Sequence, residues 1–241
     1  MNKNIIILLI LFANNICDAQ IWLSHNDYEQ STPLHNAMEN DVDIIEADIH
    51  LYNGKIVVCH DQDDASNAEN LERLYLQPMK NYGAQTLDGK ILMLDVKEYS
   101  DELLDSLLSI IHRNESLFTQ IDVLLTGEYS RSHVSALDIN NKLLLDGRQR
   151  HIGSTKKSLP IPIISMKINN LTRWKGQRRI TKSEATKIKS HVDNIQSTGR
   201  KVRFWNVKDH PQNWNILKVL GVDIIGTDDL EMMKKYKGDK L

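Results

Sequence analysis

Residue types that can do chemistry stand at the ends of short apolar runs in the first hundred positions. In chain order they are His25, Asn26, Glu46, Asp48, His60, Asp95 and Lys97. Imidazoles move protons near neutral pH, and carboxylates can hold a cation. Any one of these residues alone would be ordinary. Their joint order, each group ending an apolar run, predicts a single functional site.

Three of these side chains are acids that could share one ion. Glu46 and Asp48 alternate along one run, which places both on the same face of a strand. If Asp95 joined them in a buried place, the three negative charges would repel one another unless a cation held them. Oxygen ligands suit Mg²⁺ or Ca²⁺ rather than zinc, and the amide oxygen of Asn26 is a candidate fourth ligand. The sequence therefore predicts one divalent cation, Mg²⁺ or Ca²⁺, with these four ligands.

The two histidines of the pattern, His25 and His60, are candidates for a general base and a general acid. The pKa of an unperturbed imidazole is already near neutrality. On either side of a cation, such a pair suits displacement at phosphorus, because the cation polarises a phosphoryl oxygen. The other histidines lack this context and are interpreted as ordinary surface or structural residues.

Three further residues are candidates for contact with a substrate. Lys97 would face the same place as Asp95 and could pair with a phosphate oxygen, or it could be a solvated lysine. Arg203 and Trp205 share one face of a later apolar run. Trp205 could form a wall for the apolar or sugar part of a substrate, or it could pack in the core.

The elements that must position these residues alternate between apolar runs and amphipathic stretches. Repeated strand–helix units with buried strands predict an α/β fold with a parallel sheet. About eight such strands fit a single, somewhat irregular TIM-type (β/α)8 barrel, with a short β-hairpin after strand 2 at Asn53-Gly54. A doubly wound open sheet is the alternative, but no glycine-rich phosphate loop opens the first helix. The strands are predicted at Ile21–Leu23, Asp43–Leu51, Lys55–Cys59, Ile91–Val96, Ile121–Leu125, Leu143–Leu145, Ile161–Ile164, Val202–Trp205 and Val222–Ile225.

Two smaller features complete the predicted elements. Pro33 is expected to open the first helix, which runs to Met38. Asp228 and Asp229 are expected to cap the last helix at its N-terminus, where carboxylates are favoured.

The 241 residues suffice for one domain, and no linker divides them. Lys3, the apolar run Ile5–Ala13 and a small residue at Ala19 predict a secretory signal peptide over residues 1–19, with the barrel over 20–241. An uncleaved anchor or a buried first strand are the alternatives. The chain is therefore expected to be secreted or periplasmic. Cys59 would then remain alone and is interpreted as a buried structural thiol.

Charge is distributed unevenly, although the formal net charge is only −2. Lys55 is the only base in residues 27–64, and Glu184 is the only acid in residues 148–189. The early acids could hold a cation while the late bases attract an anion or a membrane surface, or the basic stretch could be a solvated surface. Beyond Trp174, aromatic residues do not interleave with these bases, so no nucleic-acid partner is expected. No obligate protein partner is evident.

Several stretches resemble the PLC-like phosphodiesterase superfamily, which includes glycerophosphodiester phosphodiesterases, phosphatidylinositol phospholipases C and sphingomyelinase D. The resemblance is closest to the "altered inheritance of mitochondria" family and its bacterial relatives. It is carried by HNDYEQSTPLHNAMENDVDIIEADIHLYNGKIVVCHD, LERLYLQPM, ILMLDVK, VRFWNVKDHPQNW and GVDIIGTDDL.

The resemblance implies a TIM barrel, catalytic roles for His25 and His60, and metal ligation by the three acids. It implies a metal-dependent phosphodiester hydrolase acting on a small phosphodiester or a phospholipid headgroup. One departure is that Asn26 stands where glycerophosphodiesterases carry an arginine that helps to hold phosphate. A non-catalytic, metal-dependent binding module for anionic ligands is the alternative.

Overall fold

The computed structural model describes residues 20–130, 132–134, 143–152 and 161–238. The predicted signal peptide, residues 1–19, lies outside them and stays a prediction. Nine strands are found in these ranges: β1 (Ile21–Ser24), β2 (Ile44–Tyr52), β3 (Lys55–Val58), β4 (Ile91–Val96), β5 (Asp122–Gly127), β6 (Leu143–Gly147), β7 (Ile163–Lys167), β8 (Lys201–Trp205) and β9 (Ile224–Thr227).

Eight of these strands are parallel and close into a barrel. Their order around the barrel is β1-β9-β8-β7-β6-β5-β4-β2, and β1 pairs with β2 to complete the circle. β3 is antiparallel to β2 and forms the predicted hairpin. The predicted TIM-type (β/α)8 barrel is therefore confirmed.

Helices connect the strands on the outside of the barrel. They are α1 (His35–Glu39), α2 (Gln77–Met79), α3 (Ala84–Leu87), α4 (Asp101–Arg113), α5 (Lys182–Gln196), α6 (Pro211–Val219) and α7 (Leu230–Gly238), with a π-helical turn at Glu72–Leu76 and several single 3₁₀ turns. None of the helices described is long and apolar enough to cross a bilayer. In α4 the apolar residues at helical spacing are buried, and the hydroxyl of Ser100 caps the first turn by accepting from the Leu103 N–H at 3.0 Å.

The first helix begins two residues later than Pro33 predicts. Leu34 has a φ of 62°, which a right-handed helix does not allow. The buried carboxylate of Asp27 accepts the Leu34 N–H at 2.6 Å and so holds the backbone in this conformation. A tertiary hydrogen bond therefore determines where α1 starts.

The inward face of the strands changes from apolar to polar toward their carboxyl ends. Alternate side chains point into a barrel, and six apolar ones form a separate inner cluster: Leu23, Ile44, Met93, Leu124, Ile163 and Ile224. Two residues further along four of these strands, the same face carries Glu46, Asp95, Thr126 and Ser165. A polar layer therefore lies directly above an apolar floor.

Cys59 follows β3 and packs in a small apolar cluster with Val57 and Ala65. It is a buried free cysteine, as the sequence predicts. Burial is the main cause that raises the pKa of its thiol. A thiol in this position stays protonated near neutral pH, which agrees with a structural role.

Gly127 ends β5 in a place that no other residue fits. Its φ is 78°, in the left-handed region. A Cβ there would lie 2.2 Å from Oδ1 of Asp95 and 2.3 Å from the carbonyl oxygen of Val96. Both the backbone conformation and the space therefore require glycine.

We expect Gly127→Ala to lower the free energy of unfolding by more than the backbone cost alone, because Asp95 and β4 must shift. Gly199→Ala is the matched control, since Gly199 has a φ of 76° and open space around its α-carbon. That control should lose only the left-handed cost, about 1–2 kcal/mol. Urea unfolding of both variants tests this, and equal losses would contradict a steric conflict at Asp95.

Candidate active site

The carboxyl ends of the barrel strands surround a cavity of about 320 Å³, called here the mouth pocket. Active sites of TIM-barrel enzymes are built at this end. The residues that line it come from both halves of the chain: His25, Glu46, His60, Asp95, Lys97, Thr126, Gly127, Asp146, Arg148, Ser165, Arg203 and Trp205. The fold therefore brings together seven of the nine predicted site residues as lining of one cavity.

The remaining two predicted site residues are Asp48 and Asn26. Asp48 is buried beneath the mouth pocket, where its Oδ2 accepts from Tyr28 at 2.9 Å and lies 2.8 Å from both His60 and Lys97. Asn26 is outside the lining, has a φ of 45°, and donates a long 3.4 Å hydrogen bond to Glu29. The structure does not bring Asn26 to the acids.

His60 is held by Asp48. The carboxylate can only accept a hydrogen bond, so Nδ1 of His60 is the donor in the 2.8 Å contact. The His60 ring is half-exposed while Asp48 is buried. This arrangement fixes the orientation of the imidazole and leaves its Nε2 available to a substrate in the pocket.

His25 is held in the same way by Asp228, at 2.7 Å from Nδ1. Burial lowers the pKa of His25, but the hydrogen bond that its ring donates to Asp228 and the negative charge of Glu46 outweigh this effect, and the pKa is raised overall. Both imidazoles therefore have an aspartate on Nδ1. Asp228 does not cap the last helix as predicted from the sequence; only Asp229 does, accepting from the Met232 N–H at 2.8 Å.

We expect Asp228→Asn to move the limb of the pH–rate profile that reports His25 to lower pH. Asp228 raises the pKa of His25 when it is charged, so its neutral analogue lets that pKa fall. The measurement is kcat/KM against pH on a phosphodiester substrate. Asp229→Asn is the matched control, because asparagine caps a helix as well as aspartate does. An unchanged profile in Asp228→Asn would contradict the assignment.

Glu46 and Arg203 form a buried ion pair across the barrel. Nη2 of Arg203 lies 2.7 Å from one oxygen of Glu46, and Nη1 lies 3.2 Å from the other. Both side chains are about 5% exposed. Bidentate arginine–carboxylate pairs are among the stronger hydrogen-bonded contacts in proteins. Arg203, predicted as a substrate contact, is therefore also the counter-charge of a predicted metal ligand.

Asp95 and Lys97 form a second pair at the edge of the mouth pocket. Nζ of Lys97 lies 2.6 Å from Asp95 and 2.8 Å from Asp48. Burial lowers the pKa of Lys97, but the hydrogen bonds to these two aspartates outweigh it and raise the pKa overall. Lys97 is therefore a charged lining residue, and the alternative of a solvated lysine is excluded.

The three acids predicted as metal ligands are thus paired with cationic side chains of the chain itself, and this arrangement does not fit a divalent cation. Among the residues described, no three His, Cys, Asp or Glu side chains are grouped so that they could hold a metal ion. If Glu46 turned to a metal, the buried Arg203 would lose its bidentate partner and keep only the charge interactions with Asp146 and Asp95. The predicted Mg²⁺ or Ca²⁺ has no preformed site in this part of the chain.

Five lining residues were not predicted from the sequence: Thr126, Gly127, Asp146, Arg148 and Ser165. Asp146 accepts a hydrogen bond from Thr126 at 2.9 Å through one oxygen, while its other oxygen is buried without a partner. Burial raises the pKa of Asp146 to about 6, although the charge of Arg203 and nearby hydroxyls act in the opposite direction. The signal was available, because Asp146 directly follows the apolar run Leu143–Leu145.

We expect Asp146→Asn to gain stability relative to wild type as pH rises. An acid whose pKa is higher in the folded protein than in the unfolded chain loses stability as pH rises through about 4 to 6. Removing it should shift the difference in unfolding free energy by roughly 3 kcal/mol between acid and about pH 8, at about 1.4 kcal/mol per pKa unit.

Urea unfolding of Asp146→Asn at acid and alkaline pH makes this measurement. The control is Asp122→Asn, since Asp122 is an exposed aspartate on the neighbouring strand β5. If the difference between Asp146→Asn and wild type stays constant with pH, the burial of Asp146 does not act as described.

A second cavity of about 320 Å³ adjoins the mouth pocket and is called here the side cavity. His25, Arg203 and Trp205 line both cavities. Trp205 is 41% exposed, and Nζ of Lys167 lies 5.2 Å from its ring centre in a cation–π contact. Trp205 is therefore not core packing but a wall at the opening. The side cavity also has apolar lining, including Phe204, Trp214, Leu217 and Ile225.

Comparisons with known proteins agree with this architecture. Residues 11–128 match the model of the AIM6-like phosphodiesterase domain. Altered inheritance of mitochondria protein 6 of Eremothecium gossypii is 24% identical, over 88% of this chain and 68% of that protein. Its homologue in Arthroderma benhamiae is also 24% identical, over 88% of this chain and 82% of that one.

Solved structures show the same fold. A glycerophosphodiester phosphodiesterase from Parabacteroides distasonis superimposes with a TM-score of 0.60 at 18% identity, covering 92% of this chain and 98% of that one. Another from Thermotoga maritima gives a TM-score of 0.57 at 16% identity, covering 90% of this chain and 98% of that one.

The fold is that of the solved glycerophosphodiester phosphodiesterases, and residues 11–128 resemble the AIM6-like phosphodiesterase domain. The named proteins that the chain resembles over most of its length are the altered inheritance of mitochondria 6 proteins. The matched segment contains both histidines and all three acids of the predicted site.

Proposed function

We propose that this protein cleaves phosphodiesters by general acid–base catalysis with His25 and His60. The observation that supports this most directly is the matched pair of imidazoles, each with an aspartate on Nδ1 and each lining the mouth pocket. Two oriented imidazoles at one cavity supply a proton acceptor and a proton donor for the same reaction. A binding protein needs neither.

The proton balance of the reaction assigns one role to each histidine. One imidazole takes a proton from the nucleophile, which is water or a neighbouring hydroxyl of the substrate, as the new bond to phosphorus forms. The other protonates the leaving oxygen as its bond to phosphorus breaks. If a substrate hydroxyl attacks, a cyclic phosphate appears before the final product.

Cationic side chains near the histidines attract the phosphate. Lys97 and Arg148 both line the mouth pocket, and Nη2 of Arg148 donates to the Gly127 carbonyl at 2.7 Å, which holds it over the β5 edge. Such groups offset the charge that develops on the phosphoryl oxygens. No step of this scheme depends on a divalent cation.

The two cavities suggest the substrate class. The mouth pocket is lined by charged and hydroxyl groups, whereas the side cavity adds Trp214 and Leu217 to its wall. His25 lies between them, so a phosphate at His25 could place its polar part in one cavity and its apolar part in the other. A phospholipid-derived phosphodiester has this composition, and the proposed substrate is of that kind.

The test is release of product from bis(p-nitrophenyl) phosphate and from a panel of glycero- and lysophosphodiesters, followed by phosphorus NMR to detect a cyclic product. His25→Ala and His60→Ala should each lower turnover by roughly 10²–10⁴-fold, because that is the usual contribution of one general catalyst. Both variants should unfold as the wild type does, because neither ring is in the core.

His112→Ala is the matched control, since His112 is exposed on α4 and away from the barrel mouth. It should keep full turnover. Full activity in a double variant of His25 and His60 would contradict this mechanism. Binding of phosphodiesters without any turnover would instead favour the second candidate function, a binding module for anionic ligands.

A further inference from the structure

We propose that Arg203 takes the place of a divalent cation in this site. One edge of its guanidinium neutralises Glu46, and the other edge donates to a phosphoryl oxygen of the substrate. The inference rests on the proposed function, because it names the group that meets the phosphate. It concerns an arginine on β8 and a glutamate on β2, which the barrel places face to face.

The guanidinium has one edge in use and one without a partner. Its Nη1 and Nη2 atoms bind Glu46, and Nη1 also lies 3.2 Å from the sulfur of Met93. Its Nε–H is buried and has no hydrogen-bond partner. A buried donor without a partner is rare in proteins unless a ligand or water completes it. The planar guanidinium matches the oxygens of a phosphate.

The position of Arg203 agrees with a role in binding. It lines both the mouth pocket and the side cavity, together with His25 and Trp205. A phosphate that contacts both His25 and Arg203 would therefore lie where the two cavities meet. This is also where His25 would carry out one of the two proposed proton transfers.

The acids predicted to bind a cation already have cationic partners within the protein. Glu46 pairs with Arg203, and Lys97 lies against both Asp48 and Asp95. A divalent cation would have to displace these partners before it could bind the carboxylates. An arriving phosphodiester anion instead finds the donors of Arg203, Lys97 and Arg148 at the mouth.

The first experiment measures the melting temperature of wild type after dialysis against EDTA, with Mg²⁺, Ca²⁺, Mn²⁺ or inorganic phosphate added. Phosphate should raise it, and the divalent cations should leave it unchanged. Hydrolysis of bis(p-nitrophenyl) phosphate should persist in EDTA. Ligands that bind only the folded state raise its stability by mass action, so the shift reports binding directly.

We expect Arg203→Met to respond to phosphate and to divalent cations in the opposite way to wild type. It should lose the phosphate shift and lower kcat/KM by roughly 10²–10³-fold, the usual effect of removing one donor to a developing oxyanion. It frees both oxygens of Glu46, so divalent cations should now raise the melting temperature. Arg178→Met is the matched control, because Arg178 forms a bidentate pair with Glu184 away from the mouth pocket. It should respond as wild type does.

If Arg203→Met does not fold, the double variant Glu46→Gln with Arg203→Met removes both charges, and it should respond to neither phosphate nor divalent cations. A saturable rise in the wild-type melting temperature with a divalent cation, lost in Glu46→Gln, would overturn the inference. So would hydrolysis that EDTA abolishes and metal restores, although the proposed phosphodiesterase function would then stand. Absence of any hydrolysis would remove that function, and the binding shifts would still decide the role of Arg203.

Discussion

A glutamate and an arginine that are both excluded from water hold opposite sides of this barrel together. Glu46 and Arg203 are separated by 157 positions in the chain, and each would be a costly buried charge without the other. Their pairing neutralises the centre of the polar layer. It also leaves the neighbouring Asp95 and Asp48 to Lys97, and so determines which charges remain at the mouth.

Pairing with a carboxylate also orients the two histidines that are proposed to be catalytic. Each imidazole receives an aspartate on Nδ1, and the two aspartates come from different ends of the sheet order, Asp48 from β2 and Asp228 just after β9. Because β1 pairs with both β2 and β9, His25 lies between the two supports. The strand pairings that close the barrel are therefore the same ones that bring the two aspartates to the histidines.

Much of the fold and of the candidate site could be predicted from the sequence, for identifiable reasons. Ile91–Val96 was predicted to the residue because its apolar run is interrupted only by Asp95, and alternation put Glu46 and Asp48 on one face. Side-chain partners that are distant in the sequence could not be predicted. Nothing in the local pattern of Glu46 specifies an arginine on β8, and the capping preference of Asp228 is satisfied equally well by a distant histidine. Side-chain pairs are determined by proximity in the tertiary structure, which the periodicity of a sequence does not report.

The ribosome synthesises β8 and β9 after the other strands, and this order has a consequence for folding. A nascent chain that ends near Glu128 already contains both histidines and the three predicted metal-ligand acids, yet it lacks Asp146, β8 and β9. Glu46 then has no counter-charge, His25 has no aspartate, and β1 has an open edge with unpaired backbone groups. Synthesis must therefore run almost to the last helix before the barrel can close and both histidines can be held. A truncated product would be an unclosed sheet prone to association.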